Sequence, residues 1–303
     1  MRGCDAVQTA PVAPECADTL DAVAAGGEVE SALWTENRPS AGWLQGLNLG
    51  ELLRYRELLL FFAIKELKVR YKQTLFGVGW VVLQPLVAMV IFTVVFGRFA
   101  DLPSDGLPYE VFVFAGLSVW LYFSSTIRTA SESLVEDPSL VTKVYFPRVL
   151  APTGAVLPGL VDLGVSLVVV GILMAIFGVA PGLSLVLLPV WIAAAVLVAL
   201  GGGLWLSALN VLYRDVRSVV PFLVQVWLFA SPVVFPSSII GSPEKYVYAL
   251  NPLVCVLDGF RWSLLDAPAP NTVDLISFVS ACLLLISGLV YFRHAERRFA
   301  DQI

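Results

Sequence analysis

Six apolar runs, each near or above the length a helix needs to cross a bilayer, constrain this chain more than any other feature. A helix rises ~1.5 Å per residue, so about 20 apolar residues cover a hydrocarbon core of ~30 Å. The runs are Gly77 to Phe96, Val111 to Ile127, Leu150 to Phe177, Leu183 to Leu212, Val219 to Phe235 and Val273 to Phe292. The third and fourth are long enough to tilt, or to extend beyond the bilayer as helix. With 58% of its 303 residues hydrophobic and 14% charged, the chain is too apolar for a water-soluble domain. The expected fold class is all-α and polytopic: six transmembrane helices preceded by an amphipathic interface helix.

Orientation follows from Lys and Arg. If both termini are cytoplasmic, all of the 19 cations fall on the inner side except Arg98, Lys245 and Arg261. The net charge of -5 belongs to the N-terminal tail, where seven carboxylates oppose Arg2 and Arg38 within the first 50 residues. It therefore says nothing about nucleic acid. That tail is rich in Ala, Pro, Gly and acids and lacks apolar periodicity or a signal-like apolar run. The expected organisation is an acidic, disordered cytoplasmic tail over 1–45, the interface helix over 46–75 and the six-span domain over 76–303.

The stretch Arg54 to Lys72 runs almost directly into the first apolar run. Leu60, Ile64, Leu67 and Tyr71 follow helical spacing, and Arg54, Glu57, Lys65, Lys68 and Lys72 fall opposite. Such a helix lies on a membrane surface, its cations toward anionic headgroups. The outward segment from Pro236 to Thr272 is too polar to span, yet it carries Tyr246, Tyr248, Phe260 and Trp262. Short helices re-entering the outer interface are expected there, with an aromatic belt anchoring the bundle as the alternative.

Several chemistries are absent from the sequence. There is no Gly-Lys pair, hence no phosphate-cradling Walker loop. The lone histidine, His294, stands among Arg293, Arg297 and Arg298 just past the last run, and the four cysteines form no CxxC. No catalytic residue and no metal site is expected. Away from the run ends, Asp162 is the one charged residue, without Lys, Arg or His in the runs to accompany it. At mid-membrane a carboxylate costs about 2.5–3.5 kcal/mol on insertion scales, so it must meet a partner, water or a helix interface. Helix packing or capping, and a proton relay, both remain open.

Motifs in order along the chain resemble one family. They are Arg70-Tyr-Lys-Gln-Thr-Leu-Phe-Gly-Val-Gly-Trp80, Gln84-Pro85-Leu86, Phe114-Ala-Gly-Leu-Ser-Val-Trp120, Val141-Thr-Lys-Val-Tyr-Phe-Pro-Arg148, Leu209-Asn-Val-Leu-Tyr-Arg-Asp-Val-Arg217, Ser231-Pro232 and Leu250-Asn-Pro-Leu253. Together they resemble the membrane subunits of type 2 ABC polysaccharide exporters, which include O-antigen, teichoic-acid and capsule transporters. The resemblance implies an ABC-2 type transmembrane domain and a homodimer bound to two copies of a cytoplasmic Walker-motif ATPase. ATP and Mg would sit on that partner, and the chain itself would hold no cofactor.

It further implies a glycan on a polyprenyl pyrophosphate lipid, moved across the bacterial inner membrane through a channel between protomers. On that basis the loop from Glu136 to Arg148 is the ATPase-coupling element, with Asp137, Leu140, Val141, Lys143, Tyr145, Phe146 and Arg148 as its contacts. Asp137-Pro138-Ser139 is a helix start signal, and Phe146-Pro147 a stop. Lys65, Lys68, Arg70 and Lys72 are candidates for the lipid pyrophosphate. Trp80, Phe92, Phe96, Trp120, Tyr122, Phe123, Trp227 and Phe229 are candidates for stacking sugars along the channel. A drug or small-lipid exporter of the same broad type is the alternative, with a membrane-embedded transferase or proton-coupled carrier further off.

Overall fold

The computed structural model describes residues 55–72, 79–136, 147–213, 215–241, 243–296 and 299. The expected tail, Arg54, Gly77 and the stretch from Asp137 to Phe146 lie outside the described residues. Among the described residues there is no strand. Ten α-helices follow one another among the described residues: α1 Arg56–Tyr71, α2 Gly79–Phe92, α3 Tyr109–Glu132, α4 Leu150–Gly154, α5 Val156–Phe177, α6 Leu188–Leu212, α7 Val216–Phe229, α8 Glu244–Tyr248, α9 Leu253–Leu265 and α10 Asp274–Glu296.

Among the described residues, five helical stretches are long and apolar enough to cross a membrane: Gly79–Phe99, Tyr109–Glu132, Leu150–Phe177, Leu183–Leu212 and Asp274–Glu296. Gly79–Phe99 is α2 prolonged by a π-helix over Thr93–Phe99, and Leu183–Leu212 is α6 with a preceding 3-10 turn. The expected fifth run, Val219 to Phe235, does not form one such helix. Its helix is α7, only 14 residues long and hence ~21 Å, and the chain turns at Ala230 to Val233. Pro232 explains the stop, since it cannot donate to the α7 ladder.

The middle of the bundle is α3. Its apolar window is 78% buried, against 17–28% for the other four spanning helices, because α2, α5, α6 and α9 all pack on it. α6 and α10 touch backbone to backbone: a Cβ on Gly288 would stand 2.6 Å from the carbonyl oxygen of Gly201. Small residues allow this approach, which brings peptide dipoles and dispersion contacts together where lipid offers no hydrophobic driving force.

The segment from Pro236 to Thr272 contains short helices, α8 and α9. α9 is almost wholly buried, and Arg261 within it is 2% exposed. Its guanidinium donates to the carbonyls of Pro232 and Val233, both at 2.6 Å, and to that of Phe112 at 3.3 Å, and it stacks 3.6 Å over the Phe112 ring. The broken end of α7 leaves carbonyls inside protein, and Arg261 satisfies them.

Candidate functional site

α1 brings its last turn against the bundle. Leu58, Leu59, Phe62, Ala63, Glu66, Leu67 and Arg70 form its less exposed stripe, and it packs on α4 and α5. Gly154 receives Phe62 closely: an added Cβ there would stand 2.9 Å from the Phe62 Cβ. Leu60 and Ile64, the apolar face legible from spacing, point away and stay about half exposed at 51% and 47%. The helix thus has a third face, directed at protein, which carries Glu66 and Arg70.

On the other side, Gly159 lets α5 press against α3 at Tyr122 and Thr126, where a Cβ would meet the Thr126 hydroxyl at 2.5 Å. Three residues on, about one turn, Asp162 follows on the same face of α5. Arg70 Nη1 donates to Asp162 Oδ2 at 2.5 Å, and Arg70 Nη2 donates to Thr129 Oγ1 of α3 at 3.2 Å. The Tyr71 hydroxyl donates to the other oxygen, Asp162 Oδ1. Burial and the Asp162 carboxylate push the Tyr71 hydroxyl well above its ordinary range, so it remains a donor at physiological pH. Asp162 therefore has the charged companion that the apolar runs lack, supplied from 92 residues away.

These groups wall a cavity of about 280 Å³ between α1, α2, α3 and α5. Its lining is mixed: Arg70, Tyr71, Arg128, Asp162, Gln84, Ser118, Ser124, Ser125 and Ser166 beside Trp80, Val81, Pro85 and Tyr122. Pro85 has no N–H to give Val81, so helix α2 leaves a carbonyl without its ladder partner on this wall. Two guanidiniums face one carboxylate, and Arg128 has no ion-pair partner among the described residues. A positive excess beside apolar helices is suited to an anion.

The other expected site residues are placed as follows. Lys68 and Lys72 are exposed, and Lys65 is half-buried, none of them on the cavity wall. Arg148 donates to the Glu296 carbonyl at 3.2 Å and lies over the Phe299 ring, so it ties the start of α4 to the end of α10. Asp137, Leu140, Val141, Lys143, Tyr145 and Phe146 lie outside the described residues. Trp80 and Phe229 are exposed at 49% and 58%, Phe92 and Phe96 form a half-buried edge-on pair, and Trp227 packs edge-on against Phe123. Trp120, Tyr122 and Phe123 all belong to α3. They are 5%, 1% and 0% exposed, filling the core around α3. Sequence reasoning missed Arg128 as a cavity group and Arg261 as a buried anchor. For Arg128 a signal existed, namely a lone cation four residues from the C-terminal end of α3.

The model of the ABC-2 type transporter family matches residues 57–265, which contain α1, the cavity and α9. The chain belongs to the ABC-2 type transporter family. It is a transport permease and not an enzyme, and the family resemblance read from the motifs is borne out. As an ABC-2 permease it works with an ATPase partner. Among similar proteins is the O-antigen export system permease protein RfbA of Myxococcus xanthus, 29% identical over 256 residues, covering 84% of this chain and 98% of that one. A protein of the same name from Klebsiella pneumoniae is 26% identical over 84% of this chain and 96% of its own length. The polysialic acid transport protein KpsM of Escherichia coli is 24% identical over 77% and 91%. This ABC-2 permease is thus a multi-pass membrane protein matched to its relatives along nearly their whole lengths.

Proposed function

We propose that this chain is the membrane subunit of an ATP-driven polysaccharide exporter. It moves a glycan carried on a polyprenyl pyrophosphate lipid across the inner membrane, through a channel at a homodimer interface. Both termini are cytoplasmic, α7 with the turn after it serves as the fifth of six membrane passes, and α1 lies at the inner membrane interface. Two copies of a cytoplasmic ATPase bind ATP and Mg, and the 136–148 loop couples them to the spans. The observation that carries the reading is the cavity behind α2, whose two guanidiniums and single carboxylate suit a phosphate-bearing headgroup. The export of O-antigen and polysialic acid by the named relatives supports the glycan as cargo. The Lys68 and Lys72 side chains, exposed on α1, supply the approach to an anionic surface.

A deletion of this gene in its own host, complemented by the wild-type chain or by Arg128→Gln, tests the reading. The deletion should leave a lipid-linked glycan inside the cell and strip it from the surface. Wild type should restore export, and Arg128→Gln should restore about a tenth of it or less, the scale of one lost charge-assisted contact. Normal surface glycan in the deletion strain would refute polysaccharide export and favour a smaller amphipathic cargo.

A further inference from the structure

Two arginines withdrawn from water are satisfied in opposite ways. Arg261 is 2% exposed and spends its donors on three backbone carbonyls, groups that nothing entering from outside will replace. Arg70 and Asp162 have side chains 23% and 17% exposed, and both open onto the cavity. Arg70 gives Asp162 a single N–H on one oxygen, while its second arm rests on a neutral hydroxyl, Thr129. The planar fork that makes guanidinium a strong binder of phosphate is therefore not closed on the carboxylate.

We propose that the Arg70–Asp162 pair is an exchangeable clasp, in which Asp162 holds the Arg70 guanidinium until the phosphate oxygens of a lipid headgroup take its place. The proposal rests on the headgroup reading above and adds how the empty site is kept. A phosphate offers several charged oxygens and can accept two parallel N–H bonds, so it outcompetes a singly bonded carboxylate. Arg128 on the same wall supplies a second cation, and with Asp162 it fixes the balance that an anion entering the cavity completes. Tyr71 stays on Asp162 during the exchange, so the carboxylate is not left without a donor when Arg70 swings away. Glu66, 4.0 Å from Arg70 on the same helix, guides the freed side chain without competing for the cavity. The last turn of α1 is thereby loosened from α5 when the headgroup arrives, while Phe62 remains seated on Gly154.

The test measures binding of a fluorescent short-chain polyprenyl pyrophosphate to the full chain in zwitterionic nanodiscs. Asp162→Asn removes the competing anion and should tighten binding about fivefold to tenfold, whereas Arg70→Gln should weaken it by at least as much. Thr129→Val releases only the second arm of Arg70 and should tighten binding by a smaller factor. It also keeps the test decisive if Asp162→Asn fails to fold. Inorganic pyrophosphate and nanodiscs doped with phosphatidylglycerol distinguish the phosphate sources. Both should compete at least tenfold more weakly than the pyrophosphate lipid. Equal competition by inorganic pyrophosphate would overturn a lipid-borne ligand. Weaker or unchanged binding in both Asp162→Asn and Thr129→Val would overturn the clasp, and a simultaneous loss in Arg70→Gln would leave the headgroup reading standing. No binding to the wild-type chain would remove both.

Discussion

At the scale of single residues, α9 holds a carboxyl whose protonation is tied to the fold. Burial pushes Asp258 of α9 up to about 6 from 3.8, reinforced by Asp274 and Asp105 and opposed by a Ser237 hydrogen bond and by Arg261. The folded chain holds that proton more tightly than the unfolded one. Its contribution to stability is therefore complete below about pH 4 and is lost as pH rises through about 6. Melting curves of the purified chain between these pH values should show the wild type losing stability relative to Asp258→Asn as pH rises. Parallel curves would contradict the burial of that carboxyl. The residue-level content of the sequence was uneven. The cost of Asp162 in a span was legible from its position, but its partner was not. Arg70 sits on a stripe with Glu66 that hydropathy does not register, and the contact joins residues 92 apart. Trp120, Tyr122 and Phe123 have the chemistry of sugar-stacking residues, and only tertiary packing reveals that α3 spends them on the core.

Elements were the most legible level, because length and hydropathy are nearly sufficient where the backbone must bond to itself. The runs beginning at Leu150 and Leu183 emerge with the expected ends, whereas the run from Val219 does not. There composition continues apolar through Val233, Val234 and Phe235, but Pro232 cannot extend the helix, and Arg261 takes the carbonyls of Pro232 and Val233 in the turn that follows. Average hydropathy cannot weigh one missing N–H against the thirteen apolar side chains of the run. The pairing of α6 with α10 depends on glycine at 201 and 288, where a side chain has no space. Gly288→Leu should force the two helices apart and cost about 1–3 kcal/mol, read as a lower thermal midpoint in detergent. Gly171→Leu, at a position with open space around it, serves as the comparison and should melt as the wild type does. Equal melting of both variants would show that α6 and α10 are not in backbone contact.

At the scale of the whole molecule, the bundle builds a polar, cation-rich cavity against α2 at one end and a buried, arginine-anchored α9 at the other. That arrangement fits the proposed export of a lipid-linked glycan, with a place for a charged headgroup and a separate, closed element away from it. As an ABC-2 permease the chain works with an ATPase partner, and the stretch expected to couple to it, around Tyr145 and Phe146, lies in sequence between α3 and α4. The most direct measurement reconstitutes this chain with its Walker-motif ATPase in proteoliposomes and follows a radiolabelled glycan on a polyprenyl pyrophosphate lipid. Transfer across the bilayer should require ATP and both subunits, and it should fall at least tenfold in Arg128→Gln while ATP hydrolysis persists. Transfer by this chain alone, or an equal rate for the same glycan without its pyrophosphate lipid, would contradict the account.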